Sequence, residues 1–138
     1  MPHHTTQLTI ATQPRRLTEI TDDVAGWLAT TGVTTGLVTV FCRHTSASLL
    51  ITENASPAVW RDVVAWLDLV APEGPLYEHD DEGADDMPAH LKALLTGASV
   101  QVPVVGGRMV LGTWQGIYLA EHRAHGHRRQ VVLHCSGD

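Results

Sequence analysis

Histidines and carboxylates are concentrated in residues 77–90, which makes this stretch the first candidate for chemistry. His90 follows Asp86 by four residues, one turn of a helix, so both side chains can face one point. Imidazole suits zinc and similar metals, and carboxylates also serve magnesium. We therefore predict a divalent metal site here. The alternative is a solvated acidic loop that leads into a helix, as most acidic runs do.

A second polar group continues the face of an apolar strand. If the alternation of residues 36–42 extends to residue 48, His44, Ser46 and Ser48 lie on the same face as Val40 and Cys42. Polar side chains on a buried face need hydrogen-bond partners. The group is either part of a site or a core histidine that a backbone carbonyl satisfies.

A third group lies at the end of a long apolar segment, where His122 and Arg123 follow Trp114 and Tyr118. Functional side chains concentrate at such strand ends. The two aromatic side chains pack in a core or stack on a heteroaromatic ligand. The sequence has no His-Glu-x-x-His, Cys-x-x-Cys, Walker or Gly-x-Ser-x-Gly motif, so spacing alone leaves a metal site of three or four histidines as one interpretation.

Size and charge limit the possible functions. A chain of 138 residues fits one domain, and a net charge of -6 argues against nucleic-acid binding, which depends on clustered Lys and Arg. We find no signal-peptide pattern and no apolar window long enough to span a bilayer. We therefore expect a cytoplasmic protein with no membrane partner, in which Cys42 and Cys135 are reduced thiols.

The apolar periodicity predicts one α+β domain over residues 1–138, in the order β-α-ββ-α-α-βββ with mainly antiparallel pairing. Predicted strands cover residues 7–12 (an edge), 36–42, 48–52, 99–105, 108–122 and 128–135. Predicted helices cover residues 17–32, 56–72 and 88–95, the last capped by Asp86. Gly106-Gly107 predicts a hairpin turn, and Gly112 and Gly116 predict a bend or bulge. Residues 72–87 form a long acidic loop that we interpret as functional.

Several motifs resemble the YjbQ family, and they occur in the family's order from about residue 6 to the C-terminus. They are His44-Thr45-Ser46-Ala47-Ser48, Glu53-Asn54, Tyr77-Glu78-His79-Asp80, the segment from Glu82 to His90, Gly112-Thr113-Trp114-Gln115-Gly116-Ile117-Tyr118, and Glu121-His122-Arg123. The resemblance implies a homotrimeric α+β fold. It also implies a thiamine-phosphate synthase-type activity, described in the family as secondary, that joins hydroxymethylpyrimidine diphosphate to thiazole phosphate and releases pyrophosphate.

The resemblance also implies roles for individual residues. It places His44, His79, His90 and His122 in a metal-binding pocket. We predict His79, His90 and His122 as the metal ligands, with zinc as the ion in purified protein and magnesium as an option with a diphosphate substrate. His44 either completes the metal shell or contacts the substrate. The expected catalytic residues are His44, Asp86 and Arg123. The expected substrate-binding residues are Ser46, Glu53, Asn54, Asp85, Thr113 and Gln115. Two alternatives remain open: a metal-dependent phosphohydrolase, and a non-enzymatic trimeric protein that binds a metal or metabolite.

Overall fold

Eight strands and three helices make up the fold in the computed structural model, which describes all residues from 1 to 138. The strands are β1 (His3–Ala11), β2 (Arg16–Glu19), β3 (Thr35–Cys42), β4 (Ala47–Glu53), β5 (Ser99–Val105), β6 (Arg108–Met109), β7 (Gln115–Glu121) and β8 (Arg128–Gly137). The helices are α1 (Thr21–Thr31), α2 (Pro57–Val70) and α3 (Asp86–Thr96).

The strands form two antiparallel sheets with the main hydrophobic core between them. One sheet has the order β1-β8-β3-β5-β6 and the other the order β2-β7-β4. Alternate residues of β7 point in opposite directions: Ile117 and Leu119 enter the main core, which also takes side chains from α1. Tyr118 and Ala120 face α2 in a smaller cluster. The three-stranded sheet is therefore the middle layer, and the predicted α+β class with antiparallel pairing is confirmed.

The first helix begins later than predicted, because Leu17 belongs to a strand. Residues 16–19 form β2, in which Leu17 pairs with Ala120 of β7, and α1 begins only at Thr21. The helical spacing of Leu17 and Ile20 is real, but strand pairing overrides it in the tertiary context. The predicted end near Gly32 is confirmed by its left-handed backbone, with φ of 73°.

The prediction of one long strand over residues 108–122 is wrong, because the chain passes from one sheet to the other within this segment. β6 ends at Met109 in the five-stranded sheet, and β7 begins at Gln115 in the three-stranded sheet. The chain makes a similar crossing between β3 and β4, so residues 36–48 are not one continuous strand face. The Gly106-Gly107 hairpin is confirmed: both residues have positive φ, 60° and 77°, and Val105 pairs with Arg108.

The helix ends also differ in detail from the predictions. Pro57 begins α2 after Ser56 as expected, although the Ser56 side chain makes no capping hydrogen bond. Asp85, not Asp86, is the residue before α3, and its side chain does not cap the helix either. Leu67 is the only buried residue of α2, while Trp66 beside it is 54% exposed.

Two further observations concern the thiols and the membrane. Cys42 and Cys135 are buried and unpaired, in agreement with the prediction of free thiols. None of the three helices is both long enough and apolar enough to cross a bilayer.

Candidate functional site

Four side chains able to ligate a metal converge where the acidic loop meets α3. His79 and Glu82 lie in the loop, Asp86 begins α3, and His90 lies one turn further on. Their ligand atoms all lie within 4.8 Å of one another. Asp86 Oδ2 is 2.9 Å from His79 Nε2 and 3.1 Å from His90 Nε2. Two imidazoles and two carboxylates form a donor set that fits zinc and similar divalent ions.

His90 is held in the tautomer that a metal ligand at Nε2 requires. Its Nδ1 lies 2.9 Å from the carbonyl oxygen of Thr45. A carbonyl can only accept a hydrogen bond, so Nδ1 carries the proton. In the neutral ring Nε2 then has a free lone pair, and Nε2 is the atom directed at Asp86. Backbone carbonyls orient ligating histidines in the same way in known metal sites.

Arg123 fixes the carboxylates around this cluster. Its Nε donates to Asp85 Oδ2 at 2.8 Å, and its Nη1 lies 3.0 Å from Asp86 Oδ1. Its Nη2 donates to the Glu82 carbonyl oxygen at 2.9 Å. The Arg123 guanidinium lowers the pKa of Asp85 to about 2. Because its guanidinium donors are bonded to Glu82, Asp85 and Asp86, Arg123 positions the carboxylates of the cluster.

The cluster favours positive charge at the point where the imidazoles meet. The hydrogen bond with Asp86 is the main cause that raises the pKa of His79 above its ordinary value. Glu82 adds to this effect, with its Oε2 3.2 Å from His79 Nε2. A carboxylate between two ring nitrogens therefore stabilises a proton or a bound cation at this position.

A cavity of 610 Å³ opens beside the cluster. Its wall is mainly apolar and carries two imidazoles, and the residues concerned are Ala47, Ala93, Leu94, Ala98, His44 and His90. His90 belongs to both the cavity and the cluster, so a ligand in the cavity lies next to the candidate metal position. Leu94 is 79% exposed, which leaves the cavity open to solvent in the single chain.

A buried ion pair that was not predicted from the sequence lies near His44. Arg129 Nε donates to Glu121 Oε1 at 2.8 Å, and both residues are buried. Nη2 of Arg129 also donates to Ser46 Oγ at 3.0 Å. The hydroxyl of Ser46, expected to bind substrate, is therefore a partner of a buried arginine. Buried and less buried residues alternate along β8, which places Arg129 on the same buried face as Val131. This alternation could have indicated a buried arginine.

His122 is not brought to the other predicted ligands. Its side chain is buried, and Nε2 lies 2.8 Å from Ser48 Oγ. Ser48 also contacts Thr96 Oγ1, whose own proton goes to the Lys92 carbonyl oxygen. The Ser48 proton is therefore committed to Thr96, and His122 must donate from Nε2. Burial, reinforced by the charge of Lys92, lowers the pKa of His122 to about 4. The expectation that His122 is a metal ligand is therefore wrong: His122 is a neutral histidine of the core.

Four expected substrate-binding residues lie at the other end of the three-stranded sheet. The β4–β7 register pairs Ala47 with Glu121 near the cavity and Glu53 with Gln115 at the far end. Six residue steps of about 3.3 Å separate the two ends by about 20 Å. The residues placed at or just beyond this far end are Glu53, Asn54, Thr113 and Gln115. Within one chain they do not line the cavity.

The aromatic candidates for ring stacking, Trp114 and Tyr118, lie just before β7 and in the middle of it. Trp114 precedes β7 and is 62% exposed, whereas Tyr118 is buried against α2. Neither residue lines the cavity. Packing is the observed role of Tyr118, while Trp114 presents its ring to solvent.

The match with known families covers the whole region that builds this site. The profile described as UPF0047 protein YjbQ-like matches residues 6–138. The chain belongs to the YjbQ family. A UPF0047 protein of Synechocystis sp. is 48% identical over 136 residues, which cover 98% of this chain and 92% of the relative. The YjbQ protein of Salmonella typhimurium is 43% identical, over 95% of this chain and 96% of the relative.

Solved structures agree with the fold of this YjbQ-family chain. A hypothetical protein of Aeropyrum pernix K1 superimposes with a TM-score of 0.87 at 34% identity, covering 98% of this chain and 99% of the other. The names of these relatives state no activity and no ligand. The YjbQ resemblance inferred from the sequence motifs is thus confirmed at the level of family and fold.

In this YjbQ fold, neither Glu82 as a metal ligand nor the wall of the cavity was predicted from the sequence. Glu82 lies three residues after His79 within the acidic run, so its spacing gave a usable signal. The wall is formed by Ala93 and Leu94 of α3 together with Ala98. Small apolar residues of this kind carry no chemical signal in a sequence and become visible only in the fold.

Proposed function

We propose that this chain is a metal-binding transferase of the thiamine-phosphate synthase type, acting on small phosphorylated heterocycles. The observation that carries the proposal is the convergence of His79, His90 and Asp86 on one point at the edge of a 610 Å³ cavity. The chemistry of these donors supports zinc as the resident ion. Glu82 lies close enough to serve as a fourth ligand.

The residues present suit the demands of pyrophosphate displacement. In that reaction the bond between the pyrimidine methylene carbon and the diphosphate oxygen breaks, and a bond from the thiazole nitrogen to the same carbon forms. A bound divalent ion would supply a positive charge for the departing diphosphate. Asp86 and His90 would hold that ion, and Arg123 keeps Asp86 in place. The apolar wall with Ala93 and Leu94 suits the heterocyclic part of the substrate.

We also propose that the protein is a homotrimer with its cavities near subunit boundaries. Exposed apolar side chains on α2 and α3 support an oligomer, because monomers seldom expose large apolar patches. They are Trp66, Leu69, Val70, Leu94 and Leu95. Leu94 connects this surface to the cavity, so a neighbouring subunit that covers it would also close the cavity.

A second candidate function is a non-enzymatic protein that binds a metal or a metabolite. The observation that favours it is the cavity wall, in which the only side chains able to act as a general base are His44 and His90. Nε2 of His44 already accepts from the Gln130 amide, and Nε2 of His90 faces the metal cluster, so neither lone pair is free to take a proton from a substrate. Ligand binding without turnover would support this second candidate. Release of inorganic phosphate without a second organic substrate would instead indicate a metal-dependent phosphohydrolase.

The test compares the wild type with Asp86→Asn and with the matched control His125→Ala. Thiamine phosphate is measured after incubation with both phosphorylated precursors and magnesium, and bound zinc is measured by elemental analysis. Because the Asp86 carboxylate contacts His79, His90 and Arg123 and accepts no hydrogen bond from a backbone amide of the helix, Asp86→Asn tests the charge without the loss of a helix cap. We expect it to remain folded and to lose zinc and about 100- to 1,000-fold in rate, while His125→Ala is unchanged. Wild-type turnover in Asp86→Asn would overturn the proposal.

A further inference from the structure

His44 has its tautomer fixed by the backbone. The amide of Gln130 donates to His44 Nε2 at 2.7 Å. A backbone amide has only a proton to give, so Nε2 must hold a lone pair. The proton of the neutral ring is therefore on Nδ1. The same logic places the proton of His90 on Nδ1, but there the free Nε2 lone pair points into the metal cluster.

The surroundings keep this ring neutral. Burial is the largest cause that lowers the pKa of His44, and the charge of the nearby Arg129 lowers it further. Glu121 opposes this shift, but its carboxylate is paired with Arg129. Nε2 of this neutral ring already accepts from the Gln130 amide. The group that remains for contact with a ligand is the N–H donor at Nδ1.

The Nδ1 atom is available for that function. His44 lines the 610 Å³ cavity, and Nδ1 has no hydrogen-bond partner within the protein. It is also not sealed from solvent, since the single buried side-chain polar atom without a partner is Arg15 Nε. Among the side chains that line the cavity, His44 therefore offers an N–H donor that no other group of the protein uses.

We propose that His44 is a neutral hydrogen-bond donor that recognises an acceptor atom of the ligand in this cavity and takes no part in holding the metal. This inference rests on the proposed function and specifies the ligand further. The ligand has an apolar or aromatic body that lies against Ala93 and Leu94, with an acceptor facing His44. A pyrimidine ring nitrogen and a phosphoryl oxygen are both acceptors of this kind.

The first part of the experiment needs no substrate. Long-range proton–nitrogen NMR spectra of the zinc-loaded protein report the protonated nitrogen of each imidazole. We expect His44 to carry its proton on Nδ1 throughout pH 6–8, and His44→Ala to keep the zinc content of the wild type. A proton on Nε2, or loss of zinc in His44→Ala, would overturn the inference. Both results are independent of catalytic activity.

The second part measures binding by calorimetry with hydroxymethylpyrimidine diphosphate and with inorganic pyrophosphate. His44→Ala is expected to weaken binding of the pyrimidine diphosphate about ten-fold, the effect of one hydrogen bond. His44→Asn, whose amide places a donor near the Nδ1 position, is expected to recover much of this loss. A loss confined to the pyrimidine compound assigns the acceptor to the ring, and an equal loss for pyrophosphate assigns it to a phosphoryl oxygen.

The outcomes separate this inference from the proposed function. Unchanged binding in His44→Ala would contradict the inference, even if the wild type makes thiamine phosphate. A wild type that binds neither compound would contradict the proposed substrate, and the tautomer and zinc content would still decide the role of His44. Thermal unfolding of each variant is recorded, because His44→Ala leaves the Gln130 amide without its acceptor.

Discussion

His122 should make the stability of the protein depend on pH in a defined window. Its pKa is about 4 in the folded protein, against an ordinary value of 6.5 that applies to the unfolded chain. At pH values between these two, the His122 side chain is protonated in the unfolded chain and neutral in the folded protein. Stability is therefore fully present above pH 6.5 and decreases as the pH falls towards 4. For these two pKa values the loss at pH 5 is about 2 kcal/mol.

The perturbation is His122→Gln, which places an amide donor near the position of Nε2 and cannot titrate. Ser48 and its link to Thr96 keep their partner in this variant. Urea unfolding is followed for both proteins at pH 7.5 and pH 5.0, at equal protein concentration because association contributes to stability. Other titrating groups are common to both proteins and cancel in the comparison.

We expect the wild type to lose about 2 kcal/mol more than His122→Gln between these pH values. We also expect His122→Gln to retain bound zinc. Equal pH dependence in the two proteins would refute the assignment of His122 as a neutral core histidine. Loss of zinc in His122→Gln would instead indicate that His122 is a metal ligand.

The proposed trimer, the buried ion pair and the metal site can each be tested separately. Light scattering at micromolar concentration is expected to give about three times the 15.0 kDa mass of one chain, and a monomer would contradict the proposed trimer. Arg129→Met is expected to destabilise the protein by about 3–5 kcal/mol, because Glu121 stays buried without its partner. Arg129→Met combined with Glu121→Leu removes that unpaired charge and should unfold at a higher urea concentration than Arg129→Met alone; equal midpoints would contradict this reasoning. Zinc affinity is expected to fall as the pH decreases, beginning above the ordinary histidine value of about 6.5, because Asp86 raises the pKa of His79 and protons then compete for this ligand. Constant affinity from pH 8 to 5 would exclude histidine ligands.

Elements with a strong local signal could be predicted from the sequence. The start of α2 at Pro57 and the Gly106-Gly107 hairpin depend on backbone preferences of single residues, and both are observed. The spacing of Asp86 and His90 also needs only one helical turn, so their convergence could be read directly from the sequence.

Features that depend on contacts between distant segments could not be predicted. Leu17 and Ile20 fit a helix locally, yet Leu17 pairs with Ala120, more than 100 positions away in the chain. The role of His122 depends in the same way on Ser48 and Thr96, which the fold brings to it from β4 and α3. A polar side chain in an apolar strand indicates that it needs partners, but the sequence does not say which.

The most direct test of the metal centre is anomalous scattering at the zinc edge from crystals grown with zinc. We expect one peak at about 2.0–2.2 Å from His79 Nε2, His90 Nε2 and an oxygen of Asp86, and none beside His122. The Asp86→Asn variant should lose the peak, and His125→Ala should keep it. A peak elsewhere in the wild type, or no peak with zinc in excess, would contradict the central claim.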